Sequence, residues 1–438
     1  MVAGPGIAYS GVRKGRDAIG LTASDAARRI LAELRRQPPL RVPLHDALGS
    51  VLAEAVISPI DIPAHTNSAM DGYAVRGTEV RGATAEKPCL LEVIETLPAG
   101  RFPTRAIGPG ECARIFTGAP LPQGADCVIR QEDTDRGADR VSIVTDRDVG
   151  SNVRHAGEDI PRGRRVFEAG VELGPAQLGV LASMAASHPV VFRRPRVGIL
   201  GSGDEIVELD QPDEILSGRK VASSNSFTLS ALTQVAGGVP VPLGIAADTK
   251  QSLREHFANA SDCDLLVTSA GVSVGEHDHL RDVVTEVGGS DAIRFWKLRM
   301  RPGAPVGFGM IGDMPWLGLP GNPVSAMVTF ELFVRPAIRW MAGFDAPFRR
   351  CVAVVTGEPI RVSAALQHFL RARITEEGHH RVARLTGPQG SGILTSMVEA
   401  NGLLIVPEGQ RETPKGAPLR ALLFDDPMHQ KEPGFGDD

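Results

Sequence analysis

Four loops of small residues carry the groups that could do chemistry in this chain. The first lies within DLLVTSAGVSVGEHDH, residues 264–279. Ser269, Gly271 and Ser273 leave backbone amides approachable and supply hydroxyls, as phosphate or heterocycle binding needs. His277 and His279, two apart in a helix, point to different faces, so one metal does not take both and solvent-facing histidines are the reading. Asp278 is the group for catalysis, as a carboxylate near Mg²⁺ or a phosphate-borne proton. The competing reading is a charge favoured by a helix N-terminus.

The second loop is GSGDEI, residues 201–206. Gly201, Ser202 and Gly203 resemble the start of a dinucleotide fingerprint, but Ile206 occupies the place of its third glycine, and no P-loop occurs in the chain. Read alone it is a glycine turn or a ligand loop; Asp204 and Glu205 at a strand's carboxyl end favour cation coordination. In the third, FWKLRMRPGAP (295–305), a strand would put Lys297, Arg299 and Arg301 on one face and Leu298 and Met300 on the other, ending at Pro302-Gly303. A solvated edge strand and an anion site both remain open. The fourth, LPGNPVSA (319–326), starts a helix with Asn322 as cap and Pro323 at the first position, and Ser325 adds a hydroxyl. Elsewhere, Asp71 in NSAMDGYAV stands before Gly72, and Glu158 and Asp159 in GEDI follow Gly157, where a structural turn is the first explanation. The GHHR stretch at 378–381 reads as an exposed hairpin tip.

The elements that must hold these loops follow from periodicity. Between about 193 and 342, short apolar runs alternate with amphipathic helical stretches, the pattern of a mostly parallel sheet covered on both faces. Ligands of such folds sit beyond the strands' carboxyl ends, where all four loops fall. Residues 22–36 form an amphipathic helix with a capping box at Thr22 and Asp25. From about 66 to 157, β-type runs broken by Pro-Gly turns read as an inserted β-rich unit. From about 350 the helical signal stops, and runs including GILTSM and FLRARITEEG alternate with turns, giving a small β-barrel or sandwich. The final stretch DDPMHQKEPGFGDD reads as a disordered tail.

Composition narrows the function classes. A chain of 438 residues suggests about three domains. With 47 basic against 52 acidic residues, nothing draws the whole chain to nucleic acid or an anionic membrane, so positive charge for an anionic ligand must be local. Five scattered cysteines with no C-x-x-C pair argue against a disulfide framework and a thiolate zinc site, which implies a reducing cytosol and a cytoplasmic location. No signal-peptide core and no membrane-spanning apolar run is expected.

Taken together, NSAMDGYAV, RIFTGAPLPQGADCVIRQE, NVRHAGEDI, GSGDE, SAGVSVGEHD, FWKLRMRPGAP and LPGNPVSAMVTF, in this order, resemble the molybdopterin molybdenumtransferases, the MoeA and gephyrin E-domain family. The resemblance implies a multidomain α/β plus β chain. Its parts are an elongated N-terminal domain (20–65 and 158–192), an inserted β-rich domain (66–157), a molybdopterin-binding α/β domain with a mostly parallel sheet (193–345) and a C-terminal β-barrel (350–426). It implies a homodimeric enzyme that takes adenylylated molybdopterin and molybdate, inserts the metal with Mg²⁺ assistance and releases AMP and molybdenum cofactor. The molybdopterin adenylyltransferase and acceptor molybdoenzymes are implied partners. By motif position, Asp71, Thr117 and Asp159 would belong to the substrate cleft, with Asp71 reaching a partner protomer's site. Glu205, Asp248 and Asp278 would be acidic positions around nucleotide and pterin, with Glu205 and Asp278 as metal ligands. Lys297 and Arg301 would be a basic pair beside Pro302, and Arg371 and Ser396 would help hold molybdate. Three departures stand out: Ala270 where the family usually has glycine, Arg301 where it often has lysine, and SSNS at 223–226, which leaves Asn225 as the polar contact. A non-catalytic pterin-binding or scaffold paralogue and a nucleotide-dependent transferase or oxidoreductase are the rival readings.

Overall fold

The computed structural model describes residues 20–271 and 279–424. The expectations for Ser273, Asp278, His277 and the C-terminal tail therefore lie outside the described residues. The chain divides into two compact units: Arg41–Leu48 with Leu52–Val191, and the remainder, which comprises the chain up to Leu40, Gly49–Val51 and everything from Phe192 on.

Helix α1 (Ala23–Glu33) starts where its capping pair demands. The Thr22 hydroxyl accepts from the Asp25 amide at 3.1 Å and donates to the Asp25 carboxylate at 2.8 Å, satisfying an N–H that the first turn would otherwise leave orphaned. Ala23, Ala26, Ala27 and Ile30 face the core of the second-named unit.

The unit containing Leu52–Val191 is built on a five-stranded sheet of β1 (Gly72–Val75), β2 (Cys89–Leu97), β3 (Glu111–Ile115), β4 (Cys127–Arg130) and β5 (Arg140–Ile143), in the order β4-β1-β3-β2-β5. All pairs are antiparallel except β2 with β3. Asp71-Gly72 is not a turn, contrary to the expectation from its dipeptide: it leads straight into β1, a fully buried strand hydrogen-bonded on both edges. Gly72 is needed for close approach, because a Cβ there would lie 2.0 Å from the Ile129 carbonyl oxygen.

In the other unit a six-stranded sheet comprises β6 (Arg196–Ser202), β7 (Val239–Ala246), β8 (Leu265–Ser269), β9 (Ile293–Phe295), β11 (Gly307–Ile311) and β12 (Met314–Leu319). Its order is β7-β6-β8-β12-β11-β9, and the first four run parallel. Helices α2 (Ser224–Val235), α3 (Lys250–Ala258), α4 (His279–Gly288) and α5 (Pro323–Thr329) supply the crossovers and cover. Every residue of β8 is buried, as a parallel strand packed on both faces requires. Chain order reverses between β6 and β8, whose carboxyl ends meet at Gly201 and Ser269; this is the switch point where open α/β sheets bind ligands. The rod begun by α5 continues through a π-helical turn, Phe330–Val334, into α6 (Arg335–Met341), and Pro336, which lacks an N–H, stands just beyond the irregular turn.

The run FWKLRMR is not one strand. Its start ends β9 at Phe295, and Met300–Arg301 forms β10, which pairs in parallel with β14 (Gln367–Glu377) in another sheet. The expected alternation holds locally: Leu298 and Met300 are buried while Lys297 and Arg301 are exposed. Strand β14 closes a five-stranded barrel with β13 (Cys351–Thr356), β15 (His380–Leu385), β16 (Gly402–Val406) and β17 (Pro418–Leu423) in the order β14-β15-β13-β17-β16, with β16 returning to β14. GILTSM, expected as a strand, is a loop entering the short helix α7 (Thr395–Glu399).

Candidate functional site

Beyond the switch point lies a cavity of about 460 Å³ whose wall includes Glu205, Asn225, Ala270, Gly271, Gly321 and Asn322. Its lining comes from the loops after β6, β8 and β12 and from the start of α2, so the carboxyl ends of three strands converge there. The volume lies within the usual range of small-molecule sites.

The loop after β6 is shaped by glycine. Gly203 adopts φ +136°, and a Cβ on it would lie 2.6 Å from a Glu205 carboxylate oxygen, so Glu205 can fold over the loop only because that side chain is absent. Asp204 accepts from the Asp248 amide at 3.1 Å, which ties the loop after β7 to the same rim. Ser202 lies below it, buried, with its hydroxyl 3.4 Å from where a Gly271 Cβ would sit.

The loop after β8 turns through two consecutive left-handed residues, Ala270 at φ +79° and Gly271 at φ +72°. Glycine tolerates this conformation and alanine resists it. The Ala270 Cβ lies 3.1 Å from the place a Cβ would occupy on Gly321, so the first and fourth loops approach at backbone distance. Asn322 occupies the N-cap position of α5, but its side chain makes no capping hydrogen bond, which corrects the expected cap. Ser325 is buried within that helix.

Asn225 is almost fully buried in the first turn of α2. Its Nδ2 donates to the Gly321 carbonyl at 2.8 Å, and its Oδ1 is enclosed with no hydrogen-bond partner among the described residues. The role of Gly321 was missed in the sequence, although LPGNP contains it; only the neighbouring Asn322 and Pro323 carry obvious helix-start signals.

Lys297, Arg301 and Pro302 are not among the residues lining this cavity. Arg301 sits in register with His368 of β14. The His368 Nε2 bonds to the Ser363 carbonyl at 3.0 Å. Burial, reinforced by the Arg301 charge, holds its imidazole below the usual histidine range although the Ser363 bond opposes this. Arg371 and Ser396 turn inward in the barrel rather than toward solvent. Arg371 is fully buried, and its guanidinium donates to the Ser396 hydroxyl at 3.0 Å and to the carbonyls of Pro388, Gln389 and Gly390. Burial pushes its pKa down. In this conformation four protein oxygens occupy the fork that the resemblance assigns to molybdate.

In the other unit, Asp71 and Thr117 are brought together. One Asp71 carboxylate oxygen accepts from both the Thr117 amide and its hydroxyl, each at 2.8 Å. These bonds hold the Asp71 carboxyl below the ordinary value of 3.8, so at neutral pH it is a fixed anion and hydrogen-bond acceptor, not a proton donor. Asp159 lies in a separate exposed turn, its amide bonded to the Ile62 carbonyl at 3.1 Å. Among the described residues no group of three or more His, Cys, Asp or Glu side chains could enclose a metal ion, and no helix is long and apolar enough to cross a membrane.

Comparison with known proteins accounts for the three segments in turn. Residues 21–185 match the MoeA N-terminal region (domain I and II), 198–340 a probable molybdopterin binding domain, and 353–424 the MoeA C-terminal region (domain IV). The chain is 36% identical to molybdopterin molybdenumtransferase 2 of Mycobacterium tuberculosis, over 90% of this chain and 97% of the relative. It is 35% identical to the molybdopterin molybdenumtransferase of a Nostoc species, over 87% and 88% respectively. The crystal structure of the molybdopterin biosynthesis moeA protein from Pyrococcus horikoshii superposes with a TM-score of 0.76 at 27% identity, covering 93% of this chain and all of that one. A switch-point cavity in the middle segment and a β-barrel in the last thus sit within a full-length match: the chain belongs to the molybdopterin molybdenumtransferase (MoeA) family of molybdenum cofactor biosynthesis.

Proposed function

We propose that this protein transfers molybdenum from molybdate to adenylylated molybdopterin, releasing AMP and molybdenum cofactor, and that it works as a cytoplasmic homodimer of four-domain protomers. The observation that carries the reading is the cavity of about 460 Å³ at the β6/β8 switch point, where Glu205 and the small residues of three loops line the place at which open α/β sheets take nucleotide-like ligands. Loops at Gly201–Gly203, Gly271 and Asn322 bind phosphate and pterin; Ser202 and Ser325 support these loops from beneath. Lys297 and Arg301 supply local positive charge to an otherwise acidic chain. Asp71, Thr117 and Asp159 contribute polar contacts to the substrate, and Asp248 steadies the loop after β6 through its amide.

Mg²⁺ fits this donor set because that ion is commonly held by one or two carboxylates and completed by substrate phosphates. Glu205, already on the cavity wall, and Asp278 would hold it, and when bound it screens charge developing on the phosphoanhydride. Purified protein incubated with adenylylated molybdopterin, Mg²⁺ and molybdate should release AMP in a molybdate-dependent manner and yield active cofactor. Tight pterin binding without AMP release would instead mark the chain as a non-catalytic cofactor carrier.

A further inference from the structure

We propose that His368 tunes the affinity of Arg301 for an oxyanion: as the anion settles on the Arg301 guanidinium, His368 takes up a proton at Nδ1 and adds a second positive charge beside it. This rests on the reading above that Arg301 meets an anionic ligand, while the coupling is a property of the two side chains themselves.

The pairing of β10 with β14 sets Arg301 level with His368, and alternation along both strands turns them to the same face. Met300, just before Arg301, and Phe369, just after His368, enter one common core. Leu370 and Ala372, which share the face of His368, enter the barrel core instead, together with Val406, the residue level with His368 on β16. Arg301 is exposed, and among the described residues no carboxylate lies within ion-pair distance of it. Arg299, by contrast, is engaged with Glu408 at 3.6 Å.

His368 is buried, and its tautomer is fixed. A carbonyl oxygen only accepts, so the Nε2 that lies 3.0 Å from the Ser363 oxygen carries the hydrogen, and Nδ1 keeps its lone pair. Burial disfavours a charged ring, the Ser363 bond opposes that effect, and the Arg301 charge reinforces it. An anion on Arg301 cancels the last of these influences and so favours the protonated imidazole. The other charged side chains on the elements packed there are spoken for or turned away. Arg299 pairs with Glu408 and Arg361 with Glu412 at 3.3 Å, Arg411 follows in the loop after β16, and Arg371 lies on the opposite face of β14.

The test uses full-length protein and sulfate, a tetrahedral dianion that does not itself take up a proton between about pH 8 and about pH 5. Calorimetry in buffers of different ionisation heat should show proton uptake accompanying sulfate binding in the acidic half of that range. Sulfate affinity should stay level while the ring is neutral in both states, then rise as pH falls through the anion-bound value, by roughly threefold or more in all. His368→Gln can still donate to Ser363 but cannot titrate, so it should lose the uptake and the pH dependence while affinity near pH 8 stays within about twofold. Arg301→Gln should lose sulfate binding. Sulfate bound through Arg301 without proton uptake by wild-type protein overturns the coupling, with no variant of His368 needed, and leaves the role proposed for Arg301 standing; uptake retained by His368→Gln does the same. Absence of any Arg301-dependent sulfate binding overturns both.

Discussion

Replacing Ala270 by glycine should stabilise this protein, although it removes a methyl group from a packed loop. Ala270 is held at φ +79° between β8 and Gly271, with its amide bonded to the Leu319 carbonyl at 3.1 Å. A left-handed conformation costs an L-residue about 1–2 kcal/mol, because Cβ crowds the following carbonyl. Glycine removes that strain but loosens the unfolded chain, which costs about 0.4–1 kcal/mol. The expected net gain is therefore about 0–1.5 kcal/mol. Gly271→Ala provides the opposite sign. It would add strain at φ +72° and place a methyl 3.2 Å from the Leu280 Cβ, and overpacking adds about 1–3 kcal/mol. Urea unfolding followed by the fluorescence of Trp296 and Trp316, both in the same unit, reads the two variants. A loss of more than about 0.5 kcal/mol in Ala270→Gly would refute the strain argument, as would a Gly271→Ala protein no weaker than wild type.

Two further outcomes follow from the hydrogen bonding. Thr117→Val keeps the amide bond to Asp71 but removes the hydroxyl bond, so the Asp71 carboxyl should climb toward 3.8; an NMR titration showing no rise would discount that bond. Because the folded value is depressed, the stability that Asp71 contributes is complete above 3.8 and is lost as pH falls through the folded value, so Thr117→Val should be less stable than wild type near neutral pH, and the difference should vanish in acid. Arg371→Lys should lose about 2–4 kcal/mol of barrel stability in denaturant melts, since an ammonium cannot serve the Ser396 hydroxyl and the three carbonyls that the planar fork reaches; a loss below about 1 kcal/mol would show the fork to be dispensable.

How much of this was legible in the sequence depended on the range of the interactions involved. Buried parallel strands such as LLVTS read as apolar runs because both faces are covered, and the loops at 201, 271 and 322 could be placed on one rim from the alternation of strands and helices. Thr22 and Asp25 announced α1 through a contact three residues apart. Strand β1 was hidden because GYAV is short and follows Asp-Gly, and the reason for Gly72 lies far along the chain at Ile129. The inward turn of Arg371 was equally hidden: its partners near residue 389 and at Ser396 come from a loop whose path no local pattern fixes. The same holds for Lys297 and Arg301, whose alternation was readable while their transfer to a different sheet was not.

That transfer has a consequence for anyone dissecting the protein. Met300–Arg301 belongs by sequence to the segment matching the molybdopterin binding domain, yet its hydrogen-bonding neighbour is Gln367–His368 of the barrel. Cutting the chain between Met341 and Cys351 would therefore strip a strand of its ladder and release the backbone on which Arg301 is mounted. Excised fragments should be expected to solubilise or bind poorly for that reason alone, and complementation between separately expressed halves, with the barrel re-annealing along residues 300–301, becomes the natural way to ask what each half does.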